Sequence, residues 1–98
     1  MNITKKLDGD QLCIALEGRL DTLTAPELEG ELNGATDNVK DIIFDFKNLE
    51  YISSAGLRVL LKAKKALFGK GRVKIVNAND IVKEVFEVTG FSELLDVE

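Results

Sequence analysis

The sequence predicts a single α/β domain over residues 1–98, with a mixed four- to five-stranded sheet and helices packed against it in the order ββαβαβα. Three observations support this prediction. A chain of 98 residues is long enough for one core, and 45% hydrophobic with 31% charged residues is typical of a folded domain. Apolar runs of strand length alternate with helical patterns. The connections between them are short, as in a sheet whose strands are joined through helices.

The chain opens with a predicted β-hairpin. Its strands are residues 3–7 and 11–16, and Asp8-Gly9-Asp10 forms the turn because glycine readily adopts a positive φ. The second strand contains the single cysteine, Cys13, within an apolar run. Since one cysteine cannot form an internal disulfide, we expect a buried structural thiol at this position.

The first helix is predicted to begin at a capping box. Thr24 can cap the helix, and Glu27, three residues later, can reach back to it. Pro26 is compatible with this start because proline is tolerated in the first turn of a helix. The pair Asn33-Gly34 provides a favourable end.

A central strand and a long helix follow. Residues 41–46 form an apolar run with little alternation, which predicts a strand covered on both faces. The helical pattern that comes next begins around Ser53 and reaches about Phe68, where two glycines close it.

The last third of the chain repeats the strand–helix order. Residues 73–76 predict another buried strand. Asn77 or Asn79 can cap the next helix, which is expected to end at Thr89-Gly90. Residues 91–97 are predicted as a last helical turn and an extended tail.

Charge and residue content exclude several functions. Thirteen Lys and Arg against seventeen Asp and Glu give a net charge of −4, the wrong sign for binding nucleic acid or an anionic membrane. The chain has no histidine, which excludes histidine-based catalytic triads and metal sites. We therefore expect no enzymatic activity, no metal and no cofactor. Without a recognisable signal peptide or bilayer-spanning segment, we expect a cytoplasmic protein that is monomeric when free.

The junction between the central strand and the long helix is the most informative segment. Ser53 and Ser54 lie where the helix begins, followed by Ala55 and Gly56, which leave the backbone accessible. One interpretation is structural: a serine caps the helix, and Gly56 permits close packing on the sheet. The other is an anion or phosphorylation site, because free N–H groups and the helix dipole favour negative charge there. The glycine patterns of a nucleophile elbow and of a phosphate-binding loop are both missing, which argues against a hydrolase or a nucleotide enzyme.

One flank of the long helix combines a hydroxyl, apolar side chains and a basic residue. At about 100° per residue, Ser54, Leu57, Arg58 and Leu61 share this flank. If the leucines border water, the flank is a partner-binding surface. Alternatively, they pack under a neighbouring helix, and Lys64 extends past them to water. The sequence leaves both alternatives open.

Two carboxylates lie near predicted strand ends. Asp21 and Asp45 could pair for acid–base chemistry or hold a cation, but nothing in the sequence fixes their separation. Solvated loop acids are the better interpretation. The basic run at residues 62–65 is interpreted in the same way, as a solvated helix face.

Several short motifs occur in a characteristic order along essentially the whole chain. They are Gly18-Arg19-Leu20-Asp21 before a helix, Ile43-Phe44-Asp45-Phe46, Leu49, Tyr51-Ile52, Ser53-Ser54-Ala55-Gly56-Leu57, a late Val-Lys-Ile-Val strand, and Val85-Phe86 with Thr89-Gly90-Phe91. In this order and spacing they resemble the STAS family, whose name covers sulfate transporters and anti-sigma factor antagonists. The resemblance implies a single STAS-type domain.

The resemblance also implies a function, that of a stand-alone bacterial anti-sigma factor antagonist. Such proteins bind an anti-sigma factor that is also a serine kinase, and thereby release the sigma factor. The kinase phosphorylates a serine at the start of the second helix, and a metal-dependent, PP2C-type serine phosphatase removes the phosphate. Other members resemble ligand-binding or scaffold subunits of lipid-transport or sensory complexes, which is the alternative function.

The usual family pattern at this serine is Asp-Ser-Ser/Thr-Gly-Leu, with the first serine modified. Aligned on Gly56-Leu57, Ser54 takes the place of the phosphoacceptor, and Ser53 replaces the aspartate and is a second candidate acceptor. Asp21 matches the family's loop acid near the phosphorylated serine. Together with the flank described above, the resemblance predicts partner contacts at Asp21, Ser53, Gly56, Leu57, Arg58 and Leu61.

Overall fold

The fold follows the predicted order of elements and adds a short strand at its end. The computed structural model describes all 98 residues. The strands are β1 (Asn2–Asp8), β2 (Gln11–Leu20), β3 (Asp41–Ile52), β4 (Val73–Val76) and β5 (Asp96–Val97). The helices are α1 (Ala25–Leu32), α2 (Ser54–Ala66), α3 (Asp80–Thr89) and α4 (Phe91–Leu94), with a 3₁₀ turn at Ala35–Asp37. None of these helices combines the length and the apolar composition needed to cross a membrane.

One five-stranded sheet carries the fold, with its strands in chain order. β1 runs antiparallel to β2 across the predicted hairpin, whereas β2, β3, β4 and β5 are parallel to one another. Parallel neighbours need crossover connections, and the helices supply them. Because right-handed crossovers that all progress in one direction place every helix on the same side, the sheet has one covered and one open face. The predicted mixed sheet with packed helices is confirmed.

The two faces of the sheet are evident in the central strand, β3. Ile42, Phe44 and Phe46 are buried beneath the helices, while Ile43 is partly exposed on the open face. The expectation of a strand covered on both faces is therefore wrong, since Ile43 extends the apolar run without being covered. Cys13 is the register partner of Ile43 and is also partly exposed, so the expectation of a buried thiol is wrong as well.

The core lies between the covered face and the helices, and its side chains are all apolar. Three aromatic rings form a chain within it: the centroids of Phe44 and Phe46 are 5.9 Å apart, and those of Phe46 and Phe86 are 6.4 Å apart. Burying one side chain of this size stabilises a fold by about 1.5–3 kcal/mol. Since Phe86 belongs to α3 and the other two rings to β3, this contact holds α3 against the central strand.

The start of α3 agrees with the sequence prediction. The side-chain oxygen of Asn79 accepts a hydrogen bond of 2.8 Å from the N–H of Val82, as an N-cap does. Asn77, the other candidate, instead adopts a positive φ of 61°. The amide nitrogen of Asn79 also donates to the carbonyl of Leu49 at 3.1 Å. One side chain therefore caps the helix and ties it to β3.

Candidate functional site

The strands β2 and β3 end side by side, and their ends bring two connections together. Pairing of the two strands continues past an irregularity at Gly18 and beyond their predicted ends. As a result, β2 ends at Leu20 and β3 ends at Ile52, and these two residues are register partners. Directly after Ile52, the N–H of Ser53 donates a hydrogen bond of 2.9 Å to the carbonyl of Leu20. The start of α2 is thus fixed next to the β2–α1 connection, which begins at Asp21.

The two serines at this junction differ in accessibility. Ser54 is exposed as the first residue of α2. Ser53 has the extended backbone of an N-cap residue, but its side chain makes no capping hydrogen bond. Its hydroxyl oxygen is buried and has no hydrogen-bond partner. Ser53 thus occupies the predicted N-cap position without making the capping hydrogen bond, and the N–H groups of the first turn have no side-chain acceptor.

Gly56 lies in the first turn of α2, where the helix touches the sheet. A Cβ added to Gly56 would lie 2.7 Å from Cγ of Leu20 and 2.9 Å from Cγ1 of Ile52. Real Cβ contacts are essentially never shorter than 3.0 Å, so only glycine fits without a shift of its neighbours. Gly56 is itself buried, which contradicts its predicted contact with a partner. Its role is close packing, as the structural interpretation of the junction proposed.

The leucines of α2 are less accessible than a partner-binding flank requires. Leu57 is only 4% exposed and belongs to the core, so its predicted contact with a partner is wrong. Leu57 directly follows Gly56, where α2 lies against Leu20 and Ile52, and its side chain belongs to the same core cluster. Leu61 is half-buried at the border of this flank. Phe68 lies 85% exposed, but it follows the far end of the helix.

The β2–α1 connection is a fixed turn built on the side chain of Asp21. One carboxylate oxygen of Asp21 accepts hydrogen bonds from the N–H groups of Leu23 at 3.0 Å and Thr24 at 3.1 Å. The Thr24 hydroxyl donates to the carbonyl of Arg19 at 2.7 Å and accepts from the N–H of Asp21 at 2.8 Å. Thr24 makes no capping hydrogen bond, so the predicted capping box is wrong: its hydroxyl is engaged by the preceding turn instead.

Asp21 is held in its ionised form by this turn. The hydrogen bond from the Thr24 N–H is the largest effect that keeps the pKa of Asp21 below its ordinary value. The Leu23 N–H and the Arg19 guanidinium, whose Nε lies 3.9 Å from the carboxylate, act in the same direction and outweigh desolvation. The Arg19 guanidinium in turn lies over the ring of Tyr51, 4.7 Å from its centroid. Asp21 therefore shapes the connection, and its side chain is half-buried.

Leu23 is a candidate contact residue that the sequence analysis missed. It is 85% exposed at the tip of the turn that Asp21 organises. Single exposed leucines are ordinary on protein surfaces, but this one lies in the turn that follows Leu20, whose carbonyl accepts the hydrogen bond from Ser53. The signal in the sequence was an apolar residue inside the polar stretch Asp21-Thr22-Leu23-Thr24.

A groove runs between α1 and α2 beside this turn. It has a volume of about 330 Å³ and is lined by Thr22, Ala25, Pro26, Glu29, Ala55, Arg58, Val59 and Lys62. Lys62 spans the groove, because its Nζ lies 2.8 Å from a carboxylate oxygen of Glu29. Arg58 is exposed and forms no ion pair. The site residues that the structure brings together are thus Asp21, Ser53, Ser54 and Arg58, with Leu23 added.

Asp45 is not part of this site. Its carboxylate accepts hydrogen bonds of 3.0 Å from the N–H of Lys47 and from the side chain of Asn77. Asp45 lies seven positions before Ile52 on β3, a distance of about 23 Å along a strand. Ile52 marks the end of the sheet where Asp21 lies. Asp21 and Asp45 therefore do not form a pair for acid–base chemistry or cation binding.

Comparison with known proteins relates this arrangement to named regulators. The STAS domain family model matches residues 2–98. BtrV of Bordetella bronchiseptica, a candidate anti-sigma factor antagonist, is 38% identical over 94 residues, which are 94% of this chain and 80% of that protein. The anti-sigma-B factor antagonist of Staphylococcus aureus is 33% identical over 86 residues, which are 86% of this chain and 80% of that protein.

Solved structures with the same fold include two states of one anti-sigma factor antagonist, SpoIIAA. Its unphosphorylated form superposes with a TM-score of 0.87 at 22% identity and covers 99% of this chain and 88% of its own. The phosphorylated form from Bacillus superposes with a TM-score of 0.78 at 21% identity, covering 99% and 91%. At these identities the superpositions show the fold alone. The family model and the sequence relatives confirm the resemblance: this chain belongs to the STAS domain family.

Proposed function

We propose that this protein is an anti-sigma factor antagonist that works by partner switching. In its unphosphorylated form it binds an anti-sigma factor that is also a serine kinase, and the sigma factor is released. Phosphorylation of Ser54 ends this binding. Two relatives at 38% and 33% identity carry names of this class, which supports the proposal. The observation that carries it is the exposed Ser54 at an uncapped helix start, fixed beside the turn that presents Leu23.

The local physical chemistry suits a switch of this kind. A phosphoserine adds about −1.5 to −2 charges and three acceptor oxygens. At the first residue of α2 this charge is favourable, because the helix dipole and the free N–H groups of the first turn face it. The domain should therefore remain folded when Ser54 carries a phosphate.

Binding of the partner, in contrast to the stability of the fold, should be weakened by a phosphate on Ser54. A partner that covers Leu23 and the start of α2 would have to bury the phosphate dianion as well. Burying an uncompensated charge costs several kcal/mol, and each 1.4 kcal/mol lowers affinity about tenfold. The phosphate thus acts on the complex while leaving the domain intact.

In the proposed switch, the partners carry out the chemical steps. The anti-sigma factor kinase supplies the phosphoryl transfer, and a PP2C-type serine phosphatase reverses it, so the chain itself acts as substrate and ligand without catalysing a reaction. Because sigma factors act on RNA polymerase, the proposal places the protein in the cytoplasm.

The first experiment maps phosphorylation directly. The protein is incubated with its candidate kinase and ATP, and the product is analysed by mass spectrometry with site mapping. We expect one phosphate on Ser54 in the wild type and in Ser53→Ala, and none in Ser54→Ala. A phosphate on Ser53 would correct the site. If the kinase is active on another substrate but adds no phosphate here, the switch is overturned in favour of a ligand-binding or scaffold domain.

A second experiment tests the effect on binding. Ser54→Asp should remain folded and bind the kinase more weakly than the wild type. The matched control is Ser92→Asp, which adds the same charge to an exposed serine in the first turn of α4. If Ser54→Asp binds as tightly as the wild type, negative charge at the start of α2 does not control docking.

A further inference from the structure

Arg58 occupies a position between the candidate phosphorylation site and the α1–α2 groove. It lies four residues after Ser54 on α2, and both residues are exposed. Its side chain also lines the groove. The other cation of the groove, Lys62, is already engaged with Glu29 at 2.8 Å, whereas Arg58 forms no ion pair. Arg58 is therefore the free positive charge that both features share.

Helix geometry directs Arg58 toward Ser54. Residues four apart on a helix are surface neighbours, with Cβ atoms about 5–6 Å apart. Each Cα–Cβ bond tilts toward the helix N-terminus, so the Arg58 side chain leans toward the turn that contains Ser54. An acidic group four residues before a basic one is also the more favourable order for such a pair. A phosphate on Ser54 would thus meet the guanidinium in a geometry that suits a bidentate contact.

The neighbouring charged side chains of β2 and of the β2–α1 connection already have partners. Arg19, the cation of β2, has its guanidinium over the ring of Tyr51 and its Nε 3.9 Å from the carboxylate of Asp21. The carboxylate of Asp21 in turn accepts hydrogen bonds within its own turn. Ser53 places an uncharged hydroxyl next to Ser54, so no acidic side chain stands between the phosphate and Arg58.

We propose that the phosphate on Ser54 captures Arg58 and withdraws its guanidinium from the α1–α2 groove. This inference rests on the proposed function, and it adds a second consequence to the same covalent event. Phosphorylation introduces a dianion at the start of α2 and also removes the one free cation from the adjacent groove. A partner that places an acidic group near Arg58 in the unphosphorylated complex loses that contact when Ser54 is modified.

The test measures how Arg58 affects the ionisation of the phosphate. Phosphoserine is incorporated at position 54 during synthesis of the full chain, and its phosphorus resonance is titrated by NMR. A nearby cation favours the dianion, so removing the cation raises the pH midpoint of the titration. We expect Arg58→Gln to raise the midpoint by about 0.3 pH unit relative to the chain with Arg58. Arg58→Lys, which retains the charge, should lie between the two.

Lys65→Gln is the matched control. It removes the same charge from the same helix flank, but eleven residues from Ser54, a distance of about 16 Å. Since screening at physiological ionic strength acts over about 8 Å, its midpoint should move by less than about 0.1 pH unit. Equal midpoints for Arg58→Gln and Lys65→Gln would overturn the capture of Arg58. Because incorporation does not require the kinase, a failed kinase reaction would count against the proposed function alone.

Discussion

The backbone N–H of Ser53 donates to the carbonyl of Leu20 at 2.9 Å, and this hydrogen bond joins the two parts of the site. Leu20 ends β2 and precedes the turn built on Asp21, while Ser53 precedes the helix that begins with Ser54. Since both donor and acceptor are backbone atoms, the link does not depend on which side chains occupy these positions. The Ser53 side chain, which takes the place of the family's aspartate, is therefore not part of the link that positions Ser54 beside the turn.

Because α2 lies so close to the sheet at Gly56, a single methyl group added there should lower the free energy of unfolding. Gly56→Ala places a Cβ within 3.0 Å of both Leu20 and Ile52, and overpacking of this kind costs about 1–3 kcal/mol of unfolding free energy. Gly30→Ala is the control, because nothing lies within 4 Å of a Cβ at that exposed position of α1. There the change should stabilise the helix by about 0.5–1 kcal/mol. Urea unfolding followed by circular dichroism measures both, and equal effects would contradict the packing role of Gly56.

Leu23 and Phe68 provide a matched pair for locating the partner-binding surface. Both are 85% exposed, so changing either to serine should alter the unfolding free energy by less than about 0.5 kcal/mol. Leu23→Ser should weaken binding of the anti-sigma factor by about 10- to 100-fold, the range expected when a leucine is fully buried by the partner. Phe68→Ser, at the far end of α2, should bind like the wild type. Calorimetric titration distinguishes the variants, and the reverse ranking would move the surface to the end of α2.

Because the pKa of Asp21 is lowered in the folded state, its charge should stabilise the domain at neutral pH and not in acid. Its pKa is lowered in the folded state, so its contribution is present above the ordinary value of 3.8 and is lost as the pH falls through the folded-state pKa. Asp21→Asn should therefore be less stable than the wild type at neutral pH, and the two should converge in acid. Urea unfolding at a series of pH values measures the difference. A gap that is constant with pH would show that the charge of Asp21 does not stabilise the turn.

Ser53 and Asn79 occupy equivalent positions before their helices but should respond differently to alanine. Asn79 accepts from Val82 and also donates to Leu49, so Asn79→Ala should cost about 1–2 kcal/mol. The hydroxyl of Ser53 is buried without a partner, and removing an unsatisfied polar group is close to neutral or stabilising. Ser53→Ala should therefore unfold at the same or a higher urea concentration than the wild type. A loss comparable to that of Asn79→Ala would mean that Ser53 does cap α2.

Much of the fold could be predicted because local signals and packing agree. The turn at Gly9, the end of α1 at Asn33-Gly34 and the cap at Asn79 each depend on residues close in sequence. The open face of the sheet could not be predicted in this way. An apolar Ile43 is compatible with a covered or an uncovered face, and only the order of the strands decides which one it meets.

The site was predictable in position and less so in detail. The resemblance to the STAS family implied that Asp21 lies near Ser54, and the structure brings their segments together. Helix periodicity could not predict the burial of Leu57, because periodicity does not show how closely α2 packs against Leu20 at Gly56. The same applies to the capping predictions: the Thr24 hydroxyl bonds to Arg19, a contact fixed by the turn.

The missing space at Gly56 also bears on how long the proposed signal lasts. A helix start that has no room for a methyl group against Leu20 has little freedom to slide or tilt when Ser54 is modified. The phosphorylated and unphosphorylated chains should then share one backbone conformation, with no slow structural relaxation between them. The two states then differ only in the phosphate ester bond on Ser54. In the proposed switch, the kinase and the phosphatase would set how long the phosphate stays on Ser54, and the domain would add no delay of its own.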